Sequence, residues 1–256
     1  MTERQIDPQE LEAKAQAVVT RLKEVAANHE RSYPPIIEAV LVFSGPGTYY
    51  KRLKDSRPEE GWMRFMDRDR IRAGVAVVRQ VTAVTKALVT GIETRTNQIM
   101  KEDIEQYGPL FVYNGIPEEN EIFRQALASP FCKLPKDKVV IIDEVAEVDG
   151  TTHSIRHTAD QVRSFYQELE NPQSPLHRIV NVALVAHIPD FARNVFYTKK
   201  YNDEFMIKWH GGLRFWVYAL KSRAGTGDEH IAAELPRLVK YAEAGHLATE
   251  PSDFST

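Results

Sequence analysis

The sequence predicts an α/β fold of the Rossmann-like, doubly wound kind: a mostly parallel sheet with helices on both faces. Two observations carry this. Short β-branched, apolar runs recur along the chain, and segments with helical apolar spacing lie between them. That alternation builds βαβ units, and right-handed crossovers place helices on both faces of the sheet. Each run also ends in residues suited to turns and to ligands, as expected at the carboxyl ends of strands in an open sheet.

The elements follow in order. Asp7-Pro8 is a helix start, an N-cap residue with proline at the first helical position. Leu11, Ala15, Val18, Leu22 and Val25 then form one apolar face. Residues 1–33 are thus expected to form an amphipathic helix packed on a single domain at 34–247, with Pro34-Pro35 ending it. Ile36 to Phe43 (IIEAVLVF) is a first strand buried on both faces and runs into Ser44-Gly45-Pro46-Gly47. A polar loop is expected to about Asp69, containing the aromatic residues Tyr49, Tyr50, Trp62 and Phe65. A helix with Ile71, Val75, Val78, Thr82 and Thr85 on one face follows.

Pro109 to Tyr113 is a second strand ending at Asn114-Gly115. Pro117 and the acidic residues after it open a helix, as the macrodipole favours. Lys138 to Ile142 is a third strand ending at Asp143-Glu144, and Val162, Phe165, Tyr166 and Leu169 mark the next helix. Ile179 to Ala186 is a fourth strand ending at His187, with a helix from about Phe191 to Tyr201. Phe205 to Trp209 reads as a fifth strand. The aromatic run Leu213 to Leu220 belongs to the core or to a subunit contact, so a homo-oligomer is compatible. Glu229 to Leu247 reads as a last helix, and residues 248–256 as a frayed tail.

Composition narrows the function. A net charge of −3 argues against a nucleic-acid binder that works by neutralising phosphates. The single cysteine, Cys132, permits neither an internal disulfide nor a cysteine metal cluster. The start of the chain has no apolar secretory core, and no run approaches the roughly 18 consecutive apolar residues of a membrane span. A soluble, cytoplasmic protein with no membrane partner is the expectation.

Candidate ligand residues collect after the strands. Gly45 and Gly47 can serve a tight turn or present backbone N–H groups to an anion, although neither the dinucleotide fingerprint nor a Walker A sequence occurs. Asp67-Arg68-Asp69-Arg70 can be a solvated charge run or a segment folded over the site. His153 and His157, four apart, have a spacing that places metal ligands on one face if they share a helix. His187 suits a general base, a phosphate donor or a structural role. Ser44 lacks the glycine-flanked elbow of a serine hydrolase.

Three segments resemble the SanA/YdcF/ElyC-like family of bacterial proteins: Val40 to Gly47 (VLVFSGPG), Ile155 to Val162 (IRHTADQV) and Ala186 to Arg193 (AHIPDFAR). The resemblance spans roughly Ile36 to Tyr201. It departs from the family pattern at His157 and Gln161, where asparagines are usual, and at Asp190, where an arginine commonly follows the histidine. Thr158 matches, and Arg193 is the nearest guanidinium. The chain is more similar to the family's soluble, YdcF-like branch, which implies a nucleotide-like ligand such as S-adenosylmethionine.

The expected function is an enzyme acting on a polar or phosphorylated metabolite, with an adenosine-containing compound among the candidates and no metal. Ser44, Gly45, Gly47 and Thr48 would contact the anionic part, and Asn114, Gly115, His157, Thr158 and Gln161 would hold the remainder. His187, Glu144 and Arg193 are the candidate catalytic residues. Two alternatives stand beside it: a non-catalytic protein sensing such a ligand, and a metal-dependent hydrolase using His153, His157 and His187.

Overall fold

The computed structural model of the chain describes residues 7–27, 36–44, 62–128, 133–209, 212–220, 236–245 and 247–255. The elements are α1 (Pro8–Ala27), β1 (Ala39–Phe43), α2 (Trp62–Thr90), α3 (Lys101–Tyr107), β2 (Leu110–Asn114), α4 (Pro117–Ala128), β3 (Val139–Ile142), β4 (Glu144–Ala146), β5 (Thr152–Ser154), α5 (Thr158–Glu170), β6 (Asn181–His187), α6 (Ile188–Trp209), β7 (Arg214–Leu220) and β8 (Phe254–Ser255). A further helical segment runs over 236–243. The α/β class with a parallel sheet is as the sequence predicts. The chain separates into two compact units, Glu30–Val185 and the combination of Met1–His29 with Ala186–Thr256.

In the larger unit the strands hydrogen-bond in the order β3-β2-β1-β6, all parallel. β1 has a neighbour on each side and is entirely buried, which is why AVLVF carries no polar side chain. The register aligns Phe43 with Asn114 and Asn114 with Ile142. The residues that leave these strands, Ser44, Gly115 and Asp143, therefore begin their turns on one row.

α2 packs on β1 and β2. Its buried stripe is Arg70, Ala73, Val77, Val78, Val81 and Thr82, whereas Ile71, Val75 and Thr85 of the expected face are only half-buried. The stripe is rotated because Gly74 makes the closest approach to the sheet. A Cβ there would stand 2.6 Å from Val42 Cγ2 and 2.8 Å from Phe111 Cε2. The helix also starts at Trp62, so the segment expected to be a loop up to Asp69 is helical from that point. Asp67 to Arg70 lie within it, and the Arg70 side chain is fully buried. Asp69–Thr90 is long and apolar enough, by length and composition alone, to cross a membrane.

On α4, Phe123 packs its ring 5.4 Å from Phe111 and 4.5 Å from Tyr113. The antiparallel hairpin β4–β5, absent from the sequence reading, turns at Gly150 with φ of 84° and packs on α5. The short helix α3 was also absent. Its Asp103 accepts from Met100 N at 3.0 Å and pairs with Lys86 of α2 at 2.8 Å.

In the smaller unit, Asp7 caps α1 through Gln9 N (2.9 Å), and Leu11, Ala15, Val18, Val19, Leu22 and Val25 are buried where α1 packs on α6 and β7. Phe205 to Trp209 is a correction: it is the end of α6, not a strand. No glycine or proline interrupts the chain between Phe191 and Trp209, so an established helix propagates through a run of strand-forming residues. The strand instead lies in the aromatic run, as β7, with Phe215, Val217 and Ala219 buried in strict alternation.

The tail expected to fray is a second correction. Phe254–Ser255 forms β8, parallel to β7. Ser252 N donates to Val195 O at 2.9 Å, and the Arg21 guanidinium lies 4.3 Å from the Phe254 ring centroid. These contacts tie down the chain end, which composition alone does not reveal.

The close approach at Gly74 yields a test. Gly74→Val forces a branched side chain between α2 and β1 and is expected to destabilise the protein by about 1–3 kcal/mol. Urea unfolding monitored by circular dichroism would register this as a lower midpoint at unchanged slope.

Candidate functional site at the strand ends

The row formed by Ser44, Gly115 and Asp143 is covered by the first turns of α4 and α5, and each contributes buried amide side chains. Asn114 closes β2 and is fully buried. Its Nδ2 donates to Gln161 O at 2.6 Å and to Ser164 Oγ at 3.2 Å. Gln161, in the first turn of α5, returns the contact: its Nε2 donates to Asn114 O at 2.7 Å and to Ser44 Oγ at 2.8 Å. Backbone hydrogen bonding from Ser44 N to Asn114 O, 3.2 Å, completes the ring. Three segments distant in sequence are thus joined by one network of uncharged groups.

A second buried amide lies one turn along α4. Asn120 Nδ2 donates to Ile142 O at 2.8 Å and to Asp143 Oδ1 at 3.0 Å. Asp143 in turn pairs with Arg124. Asn120 and Ser44 both crowd Gly115: a Cβ at 115 would be 2.8 Å from Asn120 Oδ1 and 3.1 Å from Ser44 Oγ. Only glycine fits between them. The donor assignments at Asn114, Asn120 and Gln161 are set by their carbonyl partners, which accept only.

The carbonyl ends of two of these amides are not matched. Asn114 Oδ1 and Asn120 Oδ1 are buried and accept no hydrogen bond among the described residues. A buried polar group left this way is destabilising by about 1–3 kcal/mol, so its presence in a packed region calls for an explanation.

Of the residues singled out from sequence, the structure brings Ser44, Asn114, Gly115 and Gln161 together. Gly45, Gly47 and Thr48 lie outside the described residues, as does Cys132. His157 is the exposed N-cap of α5, its Nδ1 accepting from Asp160 N at 3.3 Å, and Thr158 is the first, half-buried residue of that helix. Glu144 is exposed on β4 and apart from the amide network. His187 and Arg193 are buried in the smaller unit, at the end of β6 and on α6. Asn120 and Ser164 were not anticipated. Asn120 falls in a helix-opening run that reads as dipole chemistry, and only its spacing from Gly115 hints at more.

His153 and His157 do not share a helix: the first is on β5 and the second caps α5. His153 Nδ1 donates to Ser154 O at 2.9 Å, and its Nε2 lies 2.7 Å from Glu147 Oε1. The Ser154 carbonyl first, and Glu147 second, raise the His153 pKa above the usual imidazole value, with Arg156 opposing. Glu147 is held below the usual carboxylate range by Arg163, 2.8 Å away, and then by His153. Among the described residues no group of three histidine, cysteine, aspartate or glutamate side chains is placed to hold a metal ion.

Comparison of the chain with protein-family models, with curated proteins and with solved structures finds no match.

Two outcomes follow. Gln161→Leu removes the donor shared by Ser44 and Asn114 and is expected to destabilise by about 1–3 kcal/mol, read as a lower denaturant midpoint. The raised His153 pKa means that its contribution to stability is complete below the unfolded imidazole value and is lost as pH rises through the folded one. An NMR titration should therefore give His153 a pKa above that of a free imidazole, and Glu147→Gln should lower it.

Proposed function

We propose that this chain binds a small polar metabolite at the carboxyl ends of β1, β2 and β3, the place where open parallel sheets take their ligands. The observation that carries this reading is the convergence of Ser44, Asn114 and Gln161, from three separate segments, into one buried network on that row. A fold can be stable with an apolar lid over its strand ends, so investment in buried amides there favours recognition. Such a fold hosts many chemistries, and the residues of the site decide among them.

The ligand class we favour is adenosine-containing or phosphorylated, with S-adenosylmethionine among the candidates, and the chain would act on it as a cytoplasmic enzyme. The neutral character of the network suits holding a ligand better than moving its protons, since amide side chains do not titrate. A binding or regulatory role is therefore the second reading. The acid–base candidates read from the sequence are His187 and Glu144, with Arg193 as the candidate for developing negative charge.

The test is a thermal-shift survey of purified protein with nucleotides, S-adenosylmethionine and sugar phosphates. A ligand of the native state stabilises by about 2.7 kcal/mol at a hundredfold excess over its Kd. The expected result is a raised Tm with an adenosine-containing compound, abolished in Gln161→Ala. Conversion of that compound, followed by chromatography, separates enzyme from sensor. No shift with any member of the survey overturns the reading.

A further inference from the structure

We propose that the strand ends of the larger unit read the hydrogen-bond donors of the ligand, its hydroxyl or amino groups, and not an anionic group. This rests on the proposed function above and specifies which part of the metabolite docks here.

Three observations lead to it. Among the described residues, several groups of the kind that hold a phosphate are already engaged. At the start of α5, Asp160 N donates to His157 Nδ1 and Gln161 N to His157 O at 3.1 Å. At the start of α4, Glu119 N and Asn120 N both donate to Ile116 O at 3.0 Å, and Ile116 N donates to Glu119 Oε2 at 3.4 Å. These bonds engage the N–H groups of Asp160, Gln161, Glu119 and Asn120 within the chain, so these four are not offered to an anion.

The cations carried beside them are also paired. Arg124 is bound to Asp143, and Arg156 lies 3.3 Å from Asp160. Glu119 and Asp160 place buried carboxyl groups, not cations, in the first turns of these helices.

What remains is complementary to donors. Asn114 Oδ1 and Asn120 Oδ1 are carbonyl acceptors on fully buried side chains, without a donor among the described residues. Their orientation is fixed because the amide nitrogen of each is committed to protein carbonyls. Asn120 Oδ1 and Ser44 Oγ both lie about the position that a Cβ at Gly115 would take, 2.8 and 3.1 Å from it. Since Ser44 Oγ accepts from Gln161, its own proton is a donor that it can offer in return. A group that both donates and accepts, as a sugar hydroxyl does, matches this arrangement. A phosphate, which near neutral pH chiefly accepts, does not.

The experiment is calorimetric titration of the full chain with adenosine, 2′,3′-dideoxyadenosine, purine riboside and inorganic phosphate. Adenosine should bind at least about tenfold more tightly than the analogue lacking the donor that is read, because an unmatched buried acceptor is left behind. Loss with the dideoxy compound assigns the hydroxyls, and loss with purine riboside assigns the amine. Phosphate should not compete with adenosine. Asn120→Ala should reduce the discrimination to less than about threefold. If that variant does not fold, the analogue comparison on the unaltered protein decides alone. Equal affinity for the three nucleosides, or competition by phosphate, overturns this inference and leaves the proposed function standing. If none of the probes binds, this inference falls, and the thermal-shift survey decides the proposed function by itself.

Discussion

The pairing of β1 with a parallel strand on each side is the constraint from which the larger unit follows. A strand bonded on both edges and covered on both faces has no route to water, so its side chains must be apolar to its last residue. The first polar residue, Ser44, can appear only where the ladder ends, and it is still buried there. The same holds for Asn114, aligned with Phe43 in the neighbouring strand. Polar groups that deep need partners within the protein. α5 supplies them: Gln161 reaches both Ser44 and the Asn114 carbonyl, so one side chain matches two strand ends at once.

That solution sets the size of the residues around it. Gly115 is held between Asn120 and Ser44 at distances that exclude a methyl group, and Gly74 is pressed on β1 from α2 in the same manner. Both glycines serve close approach, since neither has a positive φ. The amide network and the close-packed glycines are therefore one arrangement: the small residues let the helices come near enough for short side chains such as serine and asparagine to meet.

Much of this architecture was legible in the sequence, for physical reasons. Strands buried on both faces announce themselves as continuous apolar runs, so the first four strands fell near where AVLVF, LFVYN, VVII and NVALVAH stand. The row of Ser44, Asn114 and Gly115 follows from where those runs stop. Phe205 to Trp209 failed because a short apolar run has no period of its own; the helix already formed before it decided its state. Asn120 and Ser164 were illegible because a helix-opening run looks the same whether its polar residues face solvent or a strand end. The tail was misread for a related cause: ATEPSDFST has the composition of a loose end, and it is held by partners distant in sequence, among them Val195, Arg21 and Phe215 of β7.

The two histidines of the hairpin region show why spacing alone does not specify chemistry. A separation of four residues places side chains on one face only if a helix connects them. Here β5 ends at Ser154 and α5 begins at Thr158, so the backbone changes state between His153 and His157. The first becomes a partner of Glu147 and the second an N-cap, roles taken from opposite ends of the same short connection. Asp160 joins Arg156 to His157, because its carboxylate accepts from Arg156 N while its own N–H donates to His157 Nδ1. The polar residues of that turn are thereby spent on starting the helix that carries Gln161. The positioning of the amide network thus begins at a cap four residues before Gln161, in a sequence stretch whose histidine spacing suggests a different chemistry.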